Sequence, residues 1–501
     1  MSASRALPHL LEQAAGRFPG RTALVDGDLR LTYAELQQRV ERLAGYLAGQ
    51  GMQPGERVAI ALESSWQYVV ALYGVLRAGG IAVPLNFAAR AGELAGWIAH
   101  SEATWVVADP TSREVPALRA ELPTHIRWLD VSPAIQAPCE LPPPGVSGLL
   151  GPDTPACIHY TSGTTGKPKG VLLSHGNLAS NAQAIATYLR LDENSSIVSV
   201  LPFYYAYGSS VLHSHLLCGA KLVIERGFTF PHVTMQKVVS EQATGFAGVP
   251  STFALLLARV NVSDYDFSAL RYLTQAGGAM SPALTLRLRD AFASQQIFVM
   301  YGQTEATSRI SYLPPGLLEQ KLGSVGRPID GVEWQVRAED GKPCATGRSG
   351  TVWVRGPNVM LGYWRNPEAT AAVLQDGWLC TGDMGRLDED GFLFLEGRRN
   401  DIIKVGAHRV HPQDVEHVVG ELDGVEEVAA VGVDDELLGE VIKVCVVVRA
   451  GAALSEQQIR RHCLARLPGY KVPRHVEFVA ALPKTTSGKL RRVALTNRME
   501  S

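Results

Sequence analysis

Residues 160–170 read Tyr-Thr-Ser-Gly-Thr-Thr-Gly-Lys-Pro-Lys-Gly, and no other stretch restricts the chain as much. Glycines 163, 166 and 170 admit positive φ and let the backbone come close to a ligand. Successive N–H groups in such a loop form an anion-binding nest. Thr161, Ser162, Thr164 and Thr165 add hydroxyl donors, and Lys167 and Lys169 add charge. Ala156-Cys-Ile-His-Tyr160 predicts a short buried strand before the loop, and Gly170-Val-Leu-Leu173 resumes apolar after it. A donor-rich loop between two strands is a phosphate grip. It is not a Walker A loop, which needs four residues between its first glycine and Gly-Lys, then Ser or Thr. Here two residues separate Gly163 from Gly166, and Pro168 follows the lysine, so no helix runs through Lys167. The bland alternative is a solvated turn, and two lysines in the run count against it.

The rest of the chain alternates. Thr32-Tyr-Ala-Glu35 fits a capping box, and Leu36, Val40, Leu43 and Leu47 follow at helical spacing, predicting a helix over 31–51 closed by Gly51. Strands are expected at 58–62, 81–85 and 105–108, with a helix over 65–77; strand, helix, strand is the parallel α/β signature. Prolines 133, 138, 142, 143, 144, 152 and 155 mark a loop leading into the phosphate grip. Past it, strands at 197–201, 221–225, 272–276 and 297–300 end in loops, and ligands of open α/β sheets sit beyond the carboxyl ends of strands. From about 320, short strands with Gly and Pro turns predict a β-rich subdomain, and the tail after Arg398 a small α+β domain.

With 501 residues, one core is too few; the length calls for roughly two to four domains or subdomains. A net charge of −2 supplies no basic field for nucleic acid. Seven cysteines without a Cys-x-x-Cys read as reduced thiols of a cytoplasmic protein. The N-terminus lacks an apolar signal core, and the apolar run 68–85 is broken by Arg77, Gly79, Gly80 and Pro84, so no membrane span is expected.

Three constellations follow strand ends. Gly277-Gly278-Ala279 lets a flat base approach the backbone, although Gly-Gly alone is also a plain turn. In Tyr301-Gly302-Gln303-Thr304-Glu305, the tyrosine can stack on a base, Thr304 can donate to a phosphate and Glu305 can offer a hard oxygen to Mg²⁺, which takes one or two carboxylates plus phosphates. Asp383 closes Trp378-Leu-Cys-Thr-Gly-Asp383, where a carboxylate can accept ribose hydroxyls or simply make a turn.

Together these motifs resemble the adenylate-forming superfamily of acyl- and aryl-CoA synthetases, peptide-synthetase adenylation domains and luciferases. The likeness runs from Leu31-Thr-Tyr-Ala-Glu-Leu36 to Lys489. It implies ATP and Mg²⁺, with Thr161–Thr165 and Lys169 on phosphates and Gly277–Ala279, Tyr301, Gly302 and Thr304 around the nucleotide. It also puts Asp383 on the ribose, Arg398 on the nucleotide and Glu305 on the metal. It maps the catalytic lysine onto Lys489 in Pro483-Lys-Thr-Thr-Ser-Gly-Lys489. It implies a nucleotide- and carboxylate-binding domain over 1–398 and a rotating lid over 399–501, with Lys404 and Gly406 at a thiol tunnel. The usual hinge Asp or Lys is replaced by Asn400, with Asp401 next.

For the acid, Tyr205 stands in Pro202-Phe-Tyr-Tyr205 where many relatives place a gating histidine. Residues 202–224 hold no Asp or Glu to pair an α-amine, which favours an uncharged acyl or aryl acid. Tyr204, Tyr205, Phe246, Gly248, Gly277, Met300 and Ser308 are the lining candidates, Tyr204 being equally a core aromatic. The expected acceptor is coenzyme A; a carrier-protein phosphopantetheine or an amine is the alternative. A non-catalytic nucleotide-binding protein stands last, because Lys489, Glu305 and the loop lysines are all present.

Overall fold

The computed structural model describes residues 6–134, 150–161, 169–398, 401, 403–405, 408–435, 439–484 and 490–496. Ser162, Gly163, Thr164, Thr165, Asn400, Gly406 and Lys489 lie outside the described residues.

The chain is mixed α/β, with a large N-terminal part and a smaller C-terminal one, and its described strands form four sheets. In the nine-stranded sheet, Gln296–Tyr301, Tyr272–Gln275, Gly245–Gly248, Ser196–Ser199, Lys221–Ile224 and Thr22–Asp26 lie side by side and parallel. Antiparallel strands Ser311–Leu313 and Leu29–Thr32 flank them. A seven-stranded sheet carries the phosphate hairpin, Pro155–Thr161 against Lys169–Ser174. Gly362–Tyr363 extends that sheet from far along the chain, pairing with Val171 and Leu172. A five-stranded antiparallel sheet is built on Trp378–Leu387, and the C-terminal sheet on Val425–Asp435 against Gly439–Val448.

Local chemistry explains the boundaries. The helix predicted over 31–51 spans Tyr33–Gly49, because Thr32 is its cap and Leu29–Thr32 is spent on a strand. Glu35 N–H donates to Thr32 Oγ1 at 3.2 Å, and Thr32 N–H to Glu35 Oε2 at 2.8 Å, a reciprocal box. Leu36, Val40, Leu43 and Leu47 are all buried. Ser65 caps Trp66–Arg77, and Ser455 with Gln458 boxes Glu456–Leu464. Ser174 and Asn177 box the helix His175–Leu189, so the hairpin leads directly into a rigid rod.

The C-terminal sheet has its own apolar core, Val410, Val415, Ile442, Val444 and Ile459 among others. Lys484 and Leu490 form an isolated antiparallel bridge. Arg492 donates to Ala430 O at 2.6 Å and to Glu416 Oε2 at 3.1 Å. No described helix is long and apolar enough to cross a membrane.

Candidate active site

Four neighbouring parallel strands set the site. Gln296–Tyr301, Tyr272–Gln275, Gly245–Gly248 and Ser196–Ser199 run the same way, so the loops at 302–305, 277–279, 249–250 and 202–205 open on one edge of the sheet. Gly277, at φ +85°, and its exposed neighbours Gly278 and Ala279 leave the backbone bare there. Gly302 is fixed by the fold itself, since a Cβ would sit 1.7 Å from Ser308 O.

The third sheet brings in Asp383. Tyr301 O–H donates to Asp383 Oδ2 at 2.5 Å, and Arg398 Nε lies 3.3 Å from Oδ1. Burial, then the adjacent Asp383 carboxylate, push the Tyr301 phenol well above its ordinary range, so it stays a donor. Burial works against the Arg398 charge, but Asp383 and Glu305 outweigh it and raise its pKa. Thr381 Oγ1 accepts from Asp383 N–H, fixing the carboxylate from behind.

The second sheet reaches the same place through Tyr363. Its O–H donates to Glu305 Oε1 at 2.9 Å, and Lys169 Nζ lies 4.8 Å from the centre of its ring. Burial, then Glu305, raise the Tyr363 phenol's pKa. The root of the phosphate hairpin and the expected metal carboxylate thus share one tyrosine. Met360 N–H donates to Glu305 O, and Asn358 Nδ2 to Ala306 O. Asn177, one turn into the rod after the hairpin, donates to Pro357 O and Val359 O.

These groups fit a nucleotide and its metal. Gln303 Nε2 is buried and has no hydrogen-bond partner among the described residues. Tyr363 takes one of roughly four lone-pair positions of the Glu305 carboxylate. Among the described residues no cluster of three or more metal-ligating side chains is present; one carboxylate with phosphate oxygens is a donor set that suits Mg²⁺.

The acid-side candidates divide. Met300, Ser308, Gly277 and Gly248 stand at the ends of these strands or in the loops after them. Tyr204 packs on Tyr205 and Phe87, and His159 Nδ1 approaches its carbonyl at 3.3 Å. Phe246 is the exception. It is buried with Phe228 and Phe253 in the apolar layer that also holds Val198 and Val223, so it is a core residue, apart from the layer that contains Tyr204, Tyr207 and Met300. Lys404 has its backbone in the strand Ile403–Val405, paired with His408–Val410.

Sequence reading missed Tyr363 and Arg309. Arg309 is buried at 2% exposure, with Tyr188, Ser210 and Ser308 hydroxyls and the Tyr207 ring about it. The available signal was a lone arginine four residues after Glu305, inside Ala306-Thr-Ser-Arg-Ile310.

Comparison with known proteins agrees with this geometry. Residues 11–364 match the AMP-binding enzyme family, and residues 414–489 match the AMP-binding enzyme C-terminal domain. The feruloyl-CoA synthase of an Amycolatopsis species is 36% identical over 477 residues, 94% of each chain. The o-succinylbenzoate CoA synthetase of Bacillus subtilis, solved with its acyl-adenylate, superposes with a TM-score of 0.88 at 29% identity over 98% of both chains. That enzyme has also been solved with ATP and magnesium. The amide bond synthetase of Marinactinospora thermotolerans superposes with a TM-score of 0.88 at 29% identity, covering 98% of this chain and 99% of that one. A nucleotide crevice at the strand ends, with a small α+β domain after it, defines an adenylate-forming enzyme. The chain belongs to the AMP-binding enzyme family and is of its acyl- or aryl-CoA ligase type.

Proposed function

We propose that the protein uses ATP and Mg²⁺ to turn an acyl or aryl carboxylic acid into an acyl-adenylate, releasing pyrophosphate, and then passes the acyl group to the thiol of coenzyme A. The observation that carries this reading is the meeting of Tyr301–Asp383–Arg398 with Glu305–Tyr363–Lys169 at one sheet edge.

Asp383 and Arg398 hold the ribose, and Tyr301, fixed by its bond to Asp383, stacks on adenine above Gly277–Ala279. Thr304, the hairpin residues Thr161–Thr165 and Lys169 hold the phosphates. Glu305 would hold Mg²⁺, which supplies charge neutralisation on the phosphates. The acid's carboxylate oxygen attacks the α-phosphorus, the bond to the bridging oxygen breaks, and pyrophosphate leaves. Negative charge grows on those oxygens, and Lys489 meets it there, stabilising the transition state more than the ground state. A thiolate then attacks the acyl carbon, and AMP leaves with the electron pair of the broken C–O bond.

The domain division at 398/399 belongs to this reading. The C-terminal core is separate from the cores before it, and Asp383–Arg398 sits at the junction. Rotation of 399–501 about Asn400 would exchange Lys489 for Lys404 and Gly406 beside the adenylate, excluding water first and admitting the thiol second.

The test is acid-dependent pyrophosphate release with and without coenzyme A, with Lys489→Ala as control. Thioester formation supports the ligase. A second reading, with an amine as acceptor, draws on the likeness to the amide bond synthetase. Adenylate without thioester, and amide on adding an amine, would select it; transfer only to a phosphopantetheinylated protein would select a carrier.

A further inference from the structure

We infer that Arg309 selects the acid, and that the preferred acid carries a second carboxylate at the end remote from the reacting one. This rests on the acid-activating reading above; an uncharged acyl or aryl acid is the alternative that the test decides.

Arg309 is 2% exposed. Its neighbours are neutral. Nε donates to Tyr188 O–H at 3.2 Å, Nη2 to Ser210 Oγ at 3.3 Å and Nη1, at long range, to Ser308 Oγ at 3.5 Å. The cation also sits 4.6 Å from the centre of the Tyr207 ring. No Asp or Glu among the described residues forms an ion pair with it, whereas Arg398 has Asp383 and the buried Lys443 has Glu477. Hydroxyl dipoles and a π face offset part of the cost of burying a charge; a well-aligned carboxylate offsets more of it. Of five N–H donors, three have the partners just named, and a carboxylate can accept two in parallel.

The side chain is also held in place. Thr307 and Ser308 carry φ of +59° and +112°, a conformation that residues with a Cβ seldom adopt. The Arg309 carbonyl accepts from Asn181 Nδ2 at 2.9 Å and from Asn358 Nδ2 at 2.8 Å. An arginine destined for solvent needs neither a strained turn nor two buried amides. The place it is held in is the acid end of the site. Ser308 precedes it, and Tyr188 O–H also reaches Met300 Sδ at 3.0 Å. The Tyr207 ring lies 3.9 Å from where a Cβ on Gly277 would be.

The experiment is pyrophosphate release by the full-length enzyme with dicarboxylic acids from succinate to suberate and the three benzenedicarboxylates, each against its monomethyl ester. The wild type should prefer its best diacid over that acid's ester by at least about 100-fold in kcat/KM. Arg309→Met should erase most of that ratio, and Arg309→Lys should keep part of it. Equal use of esters and diacids by the wild type would overturn the inference. So would Arg309→Met losing diacid and ester alike, the signature of a brace. If Arg309→Met fails to fold, the wild-type ratio and Arg309→Lys decide the matter. No release with any acid would instead sink the acid-activating reading, and this inference with it.

Discussion

The two ends of the crevice handle charge in opposite ways. At the nucleotide end the two described carboxylates are already matched: Asp383 to Tyr301 and Arg398, Glu305 to Tyr363. At the acid end a deeply buried arginine meets only hydroxyls and a ring. A matched cluster keeps its shape whether or not a ligand is present, which suits a cosubstrate common to a whole family. An unmatched cation is expensive until its partner arrives, which suits the substrate that must be told from its analogues.

The comparison can be broken at several points. The largest effect is expected at Lys489. Arg398 is engaged with Asp383, and on the proposed reading Lys489 supplies the charge for the transition state. Lys489→Ala should lower the rate of pyrophosphate release by about 10²–10³, with ATP affinity little changed in a binding titration. A loss under tenfold would mean that the matched end supplies the charge after all.

Asp383→Asn comes next. Hydrogen bonds to charged groups contribute about 1.5–3 kcal/mol, so kcat/KM for ATP should fall roughly 10- to 100-fold. The KM for the acid should hardly move. Parallel loss on both substrates would show that the two ends are not separate.

The acid end is walled by histidines that burial keeps neutral. Desolvation lowers His213 to about 3 and His159 to about 4, and the two line a small cavity with Ser209 and Ser210. The unfolded chain binds these protons near pH 6.5 and the folded one does not, so stability falls as pH drops from about 6.5 toward 4 and is insensitive above. Each such histidine contributes about 1.4 kcal/mol per pH unit in that window. His213→Gln should flatten the slope of unfolding free energy by about that much in denaturant titrations; an unchanged slope would place charge in this wall.

Tyr363→Phe should do least. Loss of one donor to Glu305 should shift the half-saturating Mg²⁺ concentration by about fivefold, at unchanged saturating rate. An unchanged Mg²⁺ titration would detach Glu305 from the metal.

Much of the frame was legible because it is local. The Thr32–Glu35 box, the hairpin about 162–168 and the parallel strands ending at Gln275 and Tyr301 follow from caps, periodicity and glycines within a few residues. What escaped was set at a distance. Tyr363 acts at Glu305, 58 residues away, only because a two-residue strand joins the sheet of the phosphate hairpin. Arg309 points inward because Asn181, 128 residues upstream, and Asn358 hold its carbonyl. Phe246 stands among the lining candidates of the sequence, but alternate residues of a strand face opposite sides, and it packs in the core.

The first strand has a consequence for how the chain is made. Thr22–Asp26 completes the nine-stranded sheet beside Lys221–Ile224, and Arg226 donates to Asp26 across 200 residues. At about 5–20 residues per second of synthesis, the N-terminal hairpin emerges roughly 10–40 s before its parallel neighbour exists. Through that interval one edge of Thr22–Asp26 offers unpaired backbone groups to any passing strand. A pause in translation between these two segments lengthens that exposure, a hazard that the finished molecule no longer displays.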